Sequence, residues 1–289
     1  MKRTCVAIVL VICLGLPFVS IAGETNARDY LPAPPGTDLM LTYAKSITAD
    51  STYADGERVG GFNYTQHLGF FRWVHFSTLL GMPVDYQAIL FFNNEKLDGT
   101  AVGGAQLSSS GVMDPLFVAT LWPISKPETK TWLGFTQYVT VPFGEYEEDE
   151  VLNPGQNRYA FKEELGFVQG IGDKTYFEIQ PSVEFYTKNS DYLGAFEREQ
   201  DPLYQVQVHL SYDIAPKFWI AGDYTYQFGG ETKIDGAAQD DEIRSHKLGL
   251  SFNYVLTDQT QVLIDYSKVV DTENGPDVGI AGVRFLFIF

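Results

Sequence analysis

Leu203-Tyr204-Gln205-Val206-Gln207-Val208-His209-Leu210-Ser211-Tyr212-Asp213-Ile214 alternates from end to end. Tyr204, Val206, Val208, Leu210, Tyr212 and Ile214 are apolar, whereas Gln205, Gln207, His209, Ser211 and Asp213 between them are polar. Successive side chains of an extended chain point to opposite faces, so this stretch reads as a strand with one apolar and one wet face. Leu248, Leu250, Phe252, Tyr254 and Leu256 repeat the pattern against Lys247, Gly249, Ser251 and Asn253. Phe177, Ile179, Val183 and Phe185 do so against Glu178, Gln180, Ser182 and Glu184.

Working outward from these stretches, the periodicity predicts strands at 38–49, 61–74, 78–92, 113–124, 131–142, 158–171, 175–188, 203–215, 218–232, 243–256, 260–271 and 278–289. All exceed the usual ~5–6 residues of soluble strands and suit a tilted strand crossing a bilayer, which needs about 9–11. The connections alternate in length. Lys126-Pro127-Glu128-Thr129, Gly172-Asp173-Lys174, Ala215-Pro216-Lys217 and Thr257-Asp258-Gln259 are short, whereas 93–112, 144–157, 189–202 and 233–242 are long, polar and mostly acidic. A soluble β-sandwich would also alternate, but it packs its apolar faces together and rarely needs such strands. The expected fold is all-β: a transmembrane antiparallel β-barrel of about twelve strands, with short periplasmic turns and long acidic outer loops. Pro83 and Pro181 predict bulges, and in 61–92 neither face is clean, because Gln66 and Arg72 share one with Leu68 and Phe70.

Composition agrees. The 289 residues carry a net charge of −17, 15% aromatics and 27 glycines. An acidic chain lacks the Lys/Arg surface that phosphate binding requires, which argues against a nucleic-acid partner. The one long apolar run lies at the start. Lys2 and Arg3, then Val6 to Leu16, then Ser20-Ile21-Ala22 read as a signal peptide over 1–22, cut after Ala22, which removes Cys5 and Cys13. The expected organisation is signal 1–22, periplasmic tail 23–37 stiffened by Pro32, Pro34 and Pro35, and barrel 38–289. The location expected is the outer membrane of a Gram-negative bacterium.

Trp73, Trp122, Trp132 and Trp219 all fall beside short turns, as a membrane-interface girdle would. Phe285, Phe287 and the terminal Phe289 alternate on one face and resemble a barrel-assembly signal.

Ala27-Arg28-Asp29-Tyr30-Leu31-Pro32-Ala33-Pro34-Pro35-Gly36-Thr37 leads straight into the first strand; Tyr53-Ala54-Asp55-Gly56, Gly111 to Pro115 and Val141-Pro142-Phe143-Gly144 follow. Together these resemble the outer-membrane family named for the meta-pathway of phenol degradation, over nearly the whole chain after the signal. Phe143 departs from the small polar residue expected there. The resemblance implies a barrel, an outer-membrane location and transport linked to aromatic catabolism.

Chemistry is sparse. His67, His75, His209 and His246 have no metal-ligand spacing, and the acidic loops lack the order of a calcium loop. They read as a solvated surface, with weak divalent-cation bridging to lipopolysaccharide as the alternative. No cofactor or metal is expected. Gly166, Gly170 and Gly172 precede no phosphate-binding helix. His209 and Ser211 are spaced like an outer-membrane phospholipase pair, but they lie on the polar, inward face near a periplasmic turn. Glu164, Glu178, Glu184, His209, Asp223, Lys247, Asp265 and Arg284 are the lumen candidates, either as an ion-pair network bracing the barrel or as a selectivity constriction. Asp223, Asp265 and Arg284 are expected to form one network. Arg28, Tyr30 and Leu31 are candidates for a plug, with Arg28 meeting Glu178, Asp223 or Asp265; a free periplasmic linker is the other reading.

The function expected is passive, non-enzymatic passage of small hydrophobic or aromatic molecules. A lipid-processing enzyme and a structural or adhesive barrel are the alternatives. The partners expected are outer-membrane lipid, lipopolysaccharide, the barrel-assembly machinery and the cargo.

Overall fold

The computed structural model describes residues 24–289; the signal-peptide reading, with Cys5 and Cys13, lies outside the described residues. Twelve antiparallel strands close into a barrel. They are β1 Asp38–Ala54, β2 Glu57–Leu79, β3 Met82–Asp98, β4 in two pieces (Gln106–Val112 and Leu116–Lys126), β5 Thr131–Thr140 and β6 Ala160–Ile171. Then come β7 Thr175–Tyr186, β8 Leu203–Ala215, β9 Phe218–Gly229, β10 Ile243–Thr257, β11 Thr260–Thr272 and β12 Gly279–Ile288. Each strand pairs with its neighbours in sequence, and β1 pairs with β2 on one side and β12 on the other, which closes the ring. Among the described residues the barrel leaves no strand edge for lipid to meet.

The alternation fixes which way side chains point. Along β8, Gln205, Gln207, His209 and Ser211 are buried inside, while Tyr204, Leu210, Tyr212 and Ile214 are exposed outside. Phe71, Leu90, Phe117, Phe135, Leu165, Leu250 and Ile264 continue the outward apolar band. Phe285, Phe287 and Phe289 are exposed on the same outer surface. No helix among the described residues is long and apolar enough to cross a membrane, and the outward apolar surface is carried by strands.

In 61–92, where the faces are mixed, the strand boundaries differ from those expected. β2 runs on to Leu79, and the turn to β3 is Leu80-Gly81, both at positive φ (53° and 81°). The mixed face of Gln66, Leu68, Phe70 and Arg72 is the inward one, because the lumen there is partly apolar. At the other end β1 and β2 are joined by Asp55-Gly56, again with two positive φ values (51° and 76°), as a tight hairpin turn requires. The bulges expected at Pro83 and Pro181 do not form: the β2–β3 and β7–β8 registers run through both prolines unshifted, although the β6–β7 pairing is interrupted opposite Pro181, between Glu164 and Phe167. A register shift falls instead between Leu121 and Ile124, around Pro123.

Three of the four girdle tryptophans are also placed differently. Trp73 faces outward, 43% exposed, but Trp122 (1%), Trp132 (8%) and Trp219 (7%) are buried inside the barrel. Height along the strand had grouped the four; parity separates them. Trp122 shares the inward face of Val118 and Thr120, Trp132 that of Gly134 and Thr136, and Trp219 that of Ala221 and Thr225.

The long-loop end is covered. Short strands Asn189–Tyr192, Phe196–Gln200, Thr232–Ile234 and Ala237–Ala238 form a second small sheet. Segment 141–159 folds into the mouth, where Leu152 is buried against the cluster of Ile47, Phe62 and Leu97.

Candidate functional site

Residues 24–37 enter the barrel from the short-turn end and make polar contacts with β2, β5, β6, β7, β8, β10 and β12. At Arg28 the backbone has φ 71°, a left-handed conformation that a non-glycine residue holds only when its surroundings impose it. They do so here. The Arg28 backbone N–H donates to Glu178 Oε1 (2.7 Å), its Nε to Ser211 Oγ (2.9 Å) and its Nη1 to Asp213 Oδ1 (2.7 Å). Its guanidinium also lies over the rings of Tyr176 and Trp219.

Asp29 sits between two arginines. Its Oδ1 accepts from Arg284 Nη1 (2.8 Å) on β12 and its Oδ2 from Arg72 Nη1 (3.1 Å) on β2. Arg284 also reaches Asn26. Glu24 pairs with Lys247 on β10, and Thr25 Oγ1 lies 2.5 Å from Gln180 Oε1 on β7.

Tyr30 has the most closely fitted seat. Its ring, 3% exposed, lies against Gly166 of β6 and Gly134 of β5, which are paired with each other. A Cβ on Gly166 would stand 2.2 Å from the ring, and one on Gly134 would stand 2.9 Å from it. Only glycine leaves that slot open. The Tyr30 hydroxyl donates to Glu164 Oε1 (2.8 Å) and meets Thr136 Oγ1 (2.7 Å), while Trp122 Nε1 donates to the Tyr30 carbonyl (3.1 Å). Trp122, Trp132, Phe76 and Val168 complete the apolar collar, with Leu31 partly buried against it.

The lumen candidates divide accordingly. Glu164, Glu178, Lys247 and Arg284 all bind the N-terminal segment. His209 pairs through Nδ1 with Asp223 Oδ1 (2.5 Å) and through Nε2 with Gln180 Oε1 (3.1 Å), and Ser251 Oγ donates to Asp223 (3.0 Å). Glu184 lies higher, where the Tyr186 hydroxyl donates to it (3.0 Å). The expected trio of Asp223, Asp265 and Arg284 is not brought together: Arg284 takes Asp29, Asp223 takes His209, and Asp265 sits over Gly282. Arg28 likewise takes Asp213 and Ser211 with its side chain, and meets Glu178 only through its backbone. Alternation along a strand gives facing and height, not which neighbour a long side chain will choose.

Asp29 lies within the Ala27 to Thr37 motif, and its negative charge is the signal in the sequence that points to this clamp. The Gly134–Gly166 slot was hidden because no pairing could be assigned before the barrel register was known.

Above this collar, toward the long loops, a cavity of about 150 Å³ opens. Phe62, Leu68, Phe91, Leu97 and Met113 give it apolar lining, and Arg158, Arg198, Asn189 and Gln200 give it polar lining. A smaller space of about 30 Å³ lies beside Glu24, Thr25 and Asn26, bounded by Tyr43, Phe70 and Arg72. Phe91 borders both spaces. It packs 5.1 Å from Phe70, which stacks 4.0 Å from Tyr43, so an aromatic ladder joins the upper cavity to the flank of the N-terminal segment.

The profile of a family described as "Putative MetA-pathway of phenol degradation" matches residues 48–285. An outer membrane channel from Pseudomonas putida F1 is 29% identical, covers 92% of this chain and 100% of its own, and superposes with a TM-score of 0.87. The transport unit of the autotransporter AIDA-I from Escherichia coli is 9% identical, covers 99% of this chain and 97% of its own, and has a TM-score of 0.54. The beta domain of the Bordetella autotransporter Brka is 11% identical, covers 87% of this chain and 99% of its own, and has a TM-score of 0.53. These two share the fold alone. Among proteins of curated function none matches by sequence.

Proposed function

The chain belongs to this phenol-degradation family, and from that premise we propose that it is an outer-membrane channel through which small hydrophobic or aromatic molecules pass down their gradient. The observation that carries the reading is the apolar-walled cavity at the long-loop end, continued by Phe91, Phe70 and Tyr43 to the flank of the N-terminal segment. Such a wall welcomes a ring that sheds its water. Sugars have less apolar surface to bury against such a wall. In this reading residues 24–37 are a plug, seated by Tyr30 and clamped by Asp29, and passage requires the segment to shift. Phe285, Phe287 and Phe289 serve as the assembly signal, and lipid and lipopolysaccharide contact the outer band.

A lipid-processing enzyme finds little support. His209 and Asp223 do form a pair, but the Ser211 hydroxyl is engaged by Arg28 and all three face the lumen rather than lipid. Swelling of liposomes containing the protein tests the proposal. Phenol and toluate should enter faster than sugars of similar mass, and deleting residues 24–34 should give larger or more frequent openings in planar bilayers. Equal rates for all solutes, with identical traces after the deletion, would refute it.

A further inference from the structure

A neutral apolar cargo has no use for Arg158 and Arg198, yet both line the cavity at the long-loop end. Arg158 is only 6% exposed. It donates to the side-chain oxygens of Gln156 and Gln200 and lies over the Tyr186 ring, but its buried Nη1 has no acceptor among the described residues. Arg198 lies over the Tyr192 ring, and its buried Nε also lacks an acceptor there. Burial, then the neighbouring positive charge of Arg198, push Arg158 down to about 10, although Tyr186, Glu184 and Asp114 pull the other way. Asp114 is occupied by the backbone N–H groups of Gly144 and Gln156. Two close guanidiniums with spare N–H groups, in a chain of charge −17, form a local surplus of donors.

Phe62, Leu68, Phe91 and Leu97 give the same cavity apolar lining. Its volume of about 150 Å³ matches the size of buried cavity that takes up one benzene ring. Glu95 also lines this space, with its oxygens taken by Tyr64 and Asn93, and opposes a second negative charge. We infer that the cavity binds small monocarboxylic acids with a ring-sized apolar body, the carboxylate held between Arg158 and Arg198. Two carboxylate oxygens meet two forked donors, the geometry that guanidinium groups serve best. The inference rests on the channel reading and names its cargo more narrowly.

Titration calorimetry on the full-length barrel in detergent tests it, with benzoate and its neutral counterpart benzamide as probes. Benzoate should bind tighter by about tenfold or more, the return expected for charge-assisted hydrogen bonds. Arg198→Gln should remove that preference and leave benzamide unchanged. Arg158→Gln should do the same, with the mobility of unboiled protein on a detergent gel reporting its folding. Equal affinity for the two probes, or a benzoate preference that survives Arg198→Gln, would overturn the site. Liposome swelling with phenol separates the two readings. Phenol entry without benzoate preference sinks the anion site alone, whereas benzoate preference without phenol entry sinks the channel and leaves the site.

Discussion

Replacing Gly166 with alanine should unseat the N-terminal segment. The added methyl would stand 2.2 Å from Tyr30 Cδ1 and Cε1 and 2.3 Å from Cζ, well inside the ~3.5–4.0 Å at which carbon atoms pack comfortably. The wall has little room to retreat, because Gly166 is paired with Gly134 of β5 and β6 is paired with β7 at Glu164 and Phe167 on either side of it. The ring must therefore move, and with it go the bonds from its hydroxyl to Glu164 and Thr136 (2.8 and 2.7 Å). Emptying a buried aromatic site costs about 3–5 kcal/mol. Taking the lower figure, the undocked population rises by roughly a hundredfold, since each 1.4 kcal/mol is a factor of ten. Single-channel recording in planar bilayers reads this directly, as a higher open probability at unchanged voltage. Gly222→Ala, where a Cβ meets nothing within 4 Å, serves as the control. In a Tyr30→Ala background the Gly166 substitution should add nothing. Wild-type traces from Gly166→Ala, with the barrel intact on a gel, would refute both the seat and its role in gating.

Asp29→Ala leaves Arg72 and Arg284 without their shared partner and should cost about 3–5 kcal/mol, the usual penalty for breaking a buried ion pair; an unchanged temperature of unfolding on a heated detergent gel would argue against the clamp. Ser211→Ala should leave ester hydrolysis at the level of the unsubstituted protein, whereas a loss of measurable lipase activity would reinstate the enzyme. The unboiled protein should migrate faster than the boiled one and fractionate with outer membranes. Recovery as a soluble periplasmic protein would contradict the barrel in a bilayer.

Strand number, strand parity and the sequence of short and long connections were legible because each depends on a period of two that one chain displays by itself. Residues 203–215 were read to the residue, since lipid on one face and polar lumen on the other leave a clean contrast. Residues 57–98 were not, since their inward face interleaves Leu68, Phe91 and Leu97 with Gln66, Asn93 and Glu95, so neither face is uniformly polar. Trp122, Trp132 and Trp219 show the opposite error: their parity was readable, but their nearness to turns outweighed it. The site itself was half visible. Arg28, Tyr30 and Leu31 stood in a motif, and Glu164, Glu178 and Arg284 pointed inward. What joins them is contact between residues 134 to 255 positions apart, which periodicity does not encode.

The clamp at Asp29 also bears on how the molecule is put together. Residues 24–37 run straight into β1, and β1 lies between β2 and β12. Arg72 and Arg284, the two guanidiniums that Asp29 joins, therefore belong to the strands on either side of the seam where the ring shuts. One of them is available early in synthesis; the other arrives with the final strand. Contacts this distant in sequence form late, because the intervening chain must first be gathered. Until β12 zips onto β1, Asp29 lacks one of its two positive anchors and half of its countercharge. A barrel still open at the seam thus holds its occupant loosely, and sealing the last strand is the step that locks it in.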